Sequence, residues 1–296
     1  MKKLLLGLLV VFLIGVVGSV VSINATGGLS INTVTLHDKK VVQNEEIKKI
    51  DIDFASTDIE VLPSDDDRFT IEVNGKVSEK LKEKYQLEVE ETGDLLKVQF
   101  KKPDTYFHIG ISIVDTTVSV FLPTKLYESV TLHTASGDIE AEQIKATEFN
   151  ISAASGDIET KGIEADRIFV TTASGDITVD DQQAVHSSFK ASSGDMILTN
   201  VIGDVKANNA SGDISIFNEE SFGNITADAA SGDVDIEFIK PPSSLYINFR
   251  SSSGDGVVEL DGVNYDEKSD GRIIGTIGSG DHELIVDISS GDFTLR

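Results

Sequence analysis

The sequence predicts an all-β protein: a β-solenoid (β-helix or β-roll) of coils about 19 residues long, preceded by one N-terminal transmembrane helix. Three observations predict it. Ser-Gly-Asp is written nine times, apolar and polar residues alternate on both sides of each copy, and an uncharged apolar run follows the initial Met-Lys-Lys.

That run extends from Leu4 to Ile23, about the length that crosses a bilayer as a helix, whereas the apolar part of a cleaved signal peptide is usually shorter. Lys2 and Lys3 place the amino terminus inside. The expectation is therefore a single-pass membrane protein with everything after residue 24 extracytoplasmic. The alternative is secretion after cleavage following Ser22 or Ala25. Residues 25–46 read as a polar linker, 47–133 as an irregular β region at the start of the solenoid, and 134–296 as the repeats.

In the irregular region, IKKIDIDFASTDIEV alternates through Ile50, Ile52, Phe54, Ile59 and Val61, and its Ser56-Thr57-Asp58 is a degenerate form of the later triplet. YQLEVEETGDLLKVQFKK is a hairpin with Thr92-Gly93-Asp94 at its turn. VSEKLKEKY, residues 77 to 85, is the best helix candidate.

The triplets begin at Ser136, Ser155, Ser174, Ser193, Ser211, Ser231, Ser253, Ser279 and Ser290, which spaces their glycines 19, 19, 19, 18, 20, 22, 26 and 11 apart. A period near 20 marks a solenoid, whose repeats must stack to bury an apolar face. Before each glycine, positions −7, −5 and −3 point inward, as in Phe149, Ile151 and Ala153; after it, +2 and +4 do, as in Ile177 and Val179. Period two is the strand signal, and Gly flanked by Ser and Asp supplies a corner. Around Gly254 and Gly280 the +2 residue is Gly256 or His282, so the coils become irregular from about residue 240. The final spacing of 11 suggests a closing hairpin that caps the edge.

Fifty acidic against 25 basic residues give a net charge of −25, which, with no basic patch to offset it, argues against nucleic-acid or anionic-lipid binding by the ectodomain. Without cysteine there is no disulfide, thiolate metal site or cysteine nucleophile. His37, His108, His133, His186 and His282 lack metal-ligand spacing, and no nucleophile-elbow or phosphate-loop pattern occurs. The chain reads as a non-enzyme with no obligatory cofactor.

IKKIDIDFASTDIEVLPSDDD, the VFLP at 120 to 123 and the serial SGDI corners together resemble the LiaG-like "putative adhesin" family, over residues 45 to 296. The resemblance implies a membrane-anchored β-solenoid at the cell surface with a binding or scaffolding part in envelope integrity, linked to envelope-stress signalling. It implies no catalytic residue, and it leaves the partner unnamed.

The sharpest chemical feature is the set of corner carboxylates Asp138, Asp157, Asp176, Asp195, Asp213 and Asp233, continued by Asp255, Asp281 and Asp292. Coils in register would stack them at strand spacing, where like charges repel unless they face solvent or hold cations. Two readings follow: solvated turn residues bonded to backbone, or a calcium array in an adhesive module. A third reading, a β-helix polysaccharide-degrading enzyme, needs two carboxylates held across a glycan.

Overall fold

The computed structural model describes residues 32–101, 114–221 and 223–296. The run Leu4–Ile23 lies outside them; among the described residues no helix is long and apolar enough to cross a membrane.

Two parallel sheets enclose a single apolar core, and each Ser-Gly-Asp corner passes the chain from the first sheet to the second. Leu126–Ser136, Lys145–Ser155 and Glu164–Ser174 stack in the first sheet with Val130, Phe149 and Ile168 in one column. Ile139–Glu142, Ile158–Lys161 and the start of Ile177–Ala191 stack in the second, aligning Ile139, Ile158 and Ile177. The register is fixed because slipping by one residue would turn every apolar side chain to solvent. In Ile158–Lys161 the burial alternates residue by residue, as the sequence alternates.

The chain returns to the first sheet through a second bend with a left-handed residue in each coil: Gln143 (φ 53°), Gly162 (65°), Asp181 (53°) and Asn200 (51°). Only one of these is glycine. Ile144, Ile163 and Val201 then plug the core at that side. Gln182 takes the same place in one coil, fully buried, with Nε2 donating to the buried Ser187 Oγ at 2.8 Å.

At the amino-terminal end, Lys49–Ser56 and Asp58–Pro63 form a coil against Leu126–Glu142, and Leu95–Phe100 with Val114–Leu122 form the outermost one. Antiparallel strands close that end: Leu87–Thr92 on the first sheet, and Phe69–Ser78 followed by Thr33–Val42 on the second. Thr33–Val42 corrects the expected linker at 25–46, because Leu36 and Val42 are buried against the cap. The helix candidate is the 3-10 helix Glu79–Tyr85.

The carboxyl-terminal end corrects the expected closing hairpin. Glu283–Ser290 and Phe293–Leu295 form a coil of their own, inserted between Ile225–Phe238 and Leu245–Val258 and parallel to both. The stack is therefore closed by residues 245–258, with the antiparallel Arg272–Ile277 and Asn264–Ser269 beyond. Gly256 sits where an inward side chain was expected because the Phe249 ring occupies that space, stacked on Phe293 at 4.9 Å between centroids.

Candidate functional site

The fold draws the predicted carboxylates into one ladder. Asp157, Asp176, Asp195 and Asp233 each donate their backbone N–H to Oδ1 of the corner aspartate one coil back, at 2.8 Å, and Asp213 does so at 2.9 Å. The ladder starts at Asp58, which accepts from Asp138 N at 3.0 Å, and continues from Asp233 to Asp292 and then Asp255 at 2.8 Å each. Asp281 is not in it. Its triplet forms a turn on the other side of the coil, where Ser279 Oγ donates to Asp281 Oδ2 at 2.7 Å and the carboxyl is held below its usual range.

The same corners interlock through the backbone: Gly156 N donates to Ser174 O and Ile158 N to Asp176 O, both at 2.9 Å. Glycine is required for two reasons. Gly156 has φ +143°, and a Cβ there would overlap the carbonyl oxygen of Gly137 one coil back. Thr57, at the matching place one coil earlier, has no positive φ and so is free of the first reason, and its hydroxyl meets Thr116 Oγ1 at 2.9 Å. The triplet thus recurs because each copy bonds the next.

Each ladder carboxylate except the last, Asp255, accepts a charge-assisted bond through Oδ1, which offsets part of the like-charge repulsion. Calcium usually takes six to eight oxygens. Among the described residues, no group of three or more His, Asp or Glu side chains is arranged to hold a metal ion. The histidines are dispersed: His37 Nδ1 lies 2.8 Å from Asn74 Oδ1, His186 Nδ1 lies 3.3 Å from Asp204 Oδ2, and His282 adjoins Asp281. His108 lies outside the described residues.

The outer faces carry aligned polar rows. Arg167–Glu148 (3.0 Å) and Lys145–Glu164 (2.8 Å) join adjacent coils, each pair exposed and worth little singly. Glu60, Glu140 and Glu159 stand in register on the second sheet. Partial burial, with the charges of Glu159, Glu142 and Glu60, holds the Glu140 carboxyl above its usual range.

The sequence reading missed a cleft of about 370 Å³ beside the corner at the amino-terminal end. Tyr85, at the end of the 3-10 helix, packs edge-on against Phe100 at 4.9 Å, and Phe100 against Phe54 at 4.7 Å. Ala55 and Ala135 line the opposite side, and Lys84, Gln99, Lys101, Asp53 and His133 supply its polar groups. The only sequence signal was Phe54 and Phe100 standing where later coils carry Thr134 or Ala153.

The model of the Toastrack DUF4097 family matches residues 47–296. The chain belongs to this family. As a Toastrack protein it shares its fold with solved structures. One, described as a "putative adhesin" from Bacteroides fragilis, is 13% identical, covers 88% of this chain and 97% of its own, and has a TM-score of 0.50. Another, described as a "putative lipid binding protein" from Parabacteroides distasonis, is 19% identical with coverages of 88% and 96% and a TM-score of 0.51. At these identities the likeness is one of fold. No curated protein matches the chain.

Proposed function

We propose that this Toastrack protein is a non-catalytic, adhesin-like binding or scaffolding protein of the cell envelope, anchored by Leu4–Ile23 with its solenoid outside the membrane. The observation that carries the reading is the ladder. The most repeated polar feature of the chain serves the fold through Oδ1, so what the repeats build is a stiff stack with broad, aligned outer faces. Such faces suit contact with an extended surface or a second protein. The adhesin description of the Bacteroides fragilis relative supports the same reading. A part in envelope stress, as LiaG-like proteins imply, belongs to the proposal.

The test is expression of the full chain with a carboxyl-terminal tag in a Gram-positive host. The tag should be cleaved by protease added to intact cells, the intact mass should retain residues 1–25, and the purified chain should sediment with isolated envelopes. A protected tag would sink the topology. A mass lacking the first residues would favour secretion, and failure to sediment would sink the binding role.

A further inference from the structure

We propose that the cleft at the amino-terminal end of the stack is a binding site for a single-chain amphiphile with an anionic head. The inference goes beyond the envelope reading and stands whether or not the outer faces are adhesive.

The apolar part of the argument begins with one core column. In the middle coils, position −3 holds Thr134, Ala153, Thr172 and Ala191, all buried. In the two terminal coils it holds Phe54 and Phe100, aligned because Asp53 pairs with Gln99. Phe54 is buried, whereas Phe100 and Tyr85 remain half-buried with ring surface toward the gap. Sealing the end of the core would be complete with these rings packed on larger neighbours. Instead the facing residues are Ala55 and Ala135, and a space of about 370 Å³ stays open, in the range of small-molecule sites.

The polar part gives the head its sign. Lys84 and Lys101 flank the gap and form no ion pair with other described residues, in a chain whose net charge is −25. His133 adds an imidazole, and Asp53 is the one carboxylate among the described residues of the lining. The Tyr85 hydroxyl makes no hydrogen bond to other described residues, and burial raises its pKa, so it stays a donor at neutral pH. Gln99 donates to Glu88 Oε2 at 2.9 Å, while its own Oε1 is buried without a partner. Two ammonium groups and a phenol favour a carboxylate or phosphate, and the amide oxygen accepts from a hydroxyl or bound water beside it.

The experiment is equilibrium dialysis of labelled decanoate against the full chain in phosphatidylcholine nanodiscs, with empty discs subtracted and decyl phosphate as a second anionic probe. Saturable one-site binding is expected. Lys84→Gln combined with Lys101→Gln should weaken it roughly tenfold, the scale of a lost charge-assisted contact. Ala135→Phe, on the exposed side of its strand, should abolish binding with circular dichroism unchanged. Decanol should bind no better to the native chain than decanoate does to the double lysine variant. Equal binding of decanol and decanoate, indifferent to the lysines, would reduce the cleft to a greasy gap and overturn the proposal. So would absence of saturable binding. Binding seen only after replacing residues 102–113 with a Gly-Ser linker would assign the cleft to the chain's own segment, and would overturn it equally.

Discussion

From Gly137 to Gly232 every corner repeats the same three bonds: glycine N to serine O, the +2 N to aspartate O, and aspartate N to carboxylate. The two ends follow other rules. The amino-terminal end is finished with aromatic rings and antiparallel strands, and the carboxyl-terminal end by slipping the last residues between coils made earlier. In the middle each coil depends on its neighbours in sequence, so contacts are local and repeat-like. At the carboxyl end, among the described residues, the strands of 225–238 and 245–258 do not pair with each other and are bridged by 283–295. The same strand pattern is thus held by a periodic chemistry in one region and by a non-local insertion in the other.

Deleting residues 283–296 tests this contrast most severely. Leu284, Val286, Ile288, Phe293 and Leu295 are all buried, at roughly 1.5–3 kcal/mol each. Their sum is on the scale of a whole domain's stability. Amide exchange should show residues 245–277 unprotected and residues 139–198 still protected. Protection lost uniformly along the chain would mean that the middle is not independent of its end.

Glycine substitutions come next. Gly175→Ala places a methyl group against the Gly156 carbonyl at φ +142°, and should cost more than about 3 kcal/mol in urea unfolding. Gly262 also has positive φ (+77°) but open space around it, so Gly262→Ala should cost only about 1 kcal/mol. Similar losses at both sites would show that backbone conformation, and not the tight stacking of corners, makes the triplet invariant.

The contrast also explains what the sequence could disclose. The inward columns were legible because strands alternate with period two, and the corners because glycine meets a steric demand repeated in every coil. The second bend was not, since Gln143, Asp181 and Asn200 adopt left-handed conformations without being glycine. Ser279-Gly280-Asp281 spells the triplet yet makes an ordinary turn, while Ser56-Thr57-Asp58 lacks the glycine yet starts the ladder. What decides each case is the coil behind it, and that neighbour is set by pairing across distant sequence. The predicted ladder aspartates therefore came out together apart from Asp281, whereas the cleft depended on how Tyr85 meets Phe100 and had no pattern to betray it.

A smaller effect distinguishes structure from metal binding within the ladder. Asp176→Ala removes the acceptor of Asp195 N and should cost about 1 kcal/mol at this exposed corner. Asp176→Asn keeps an acceptor oxygen and removes one charge from a like-charged row, so its melting temperature should stay within a degree or two of the native chain, an effect below about 0.5 kcal/mol. Both variants should behave alike in calcium and in chelator. Calcium-dependent stabilisation of the native chain that Asp176→Asn abolishes would move the ladder from corner chemistry to a cation array.

The smallest effect lies where the end coil meets the regular stack, at Glu60, Glu140 and Glu159. Burial, with the neighbouring charges of Glu159, Glu142 and Glu60, raises the Glu140 carboxyl above the usual value of about 4.5. A raised acid favours the folded state while protonated, so its contribution is fully present below the unfolded pKa and is lost as pH rises through the folded one. At pH 7 the native chain therefore carries a penalty that Glu140→Gln lacks. The variant should melt slightly higher at pH 7, by less than about 0.5 kcal/mol given the exposure of the row, and the two should converge near pH 3.5. An equal gain at both pH values would trace the effect to packing, and the junction between end and middle would then owe nothing to its charges.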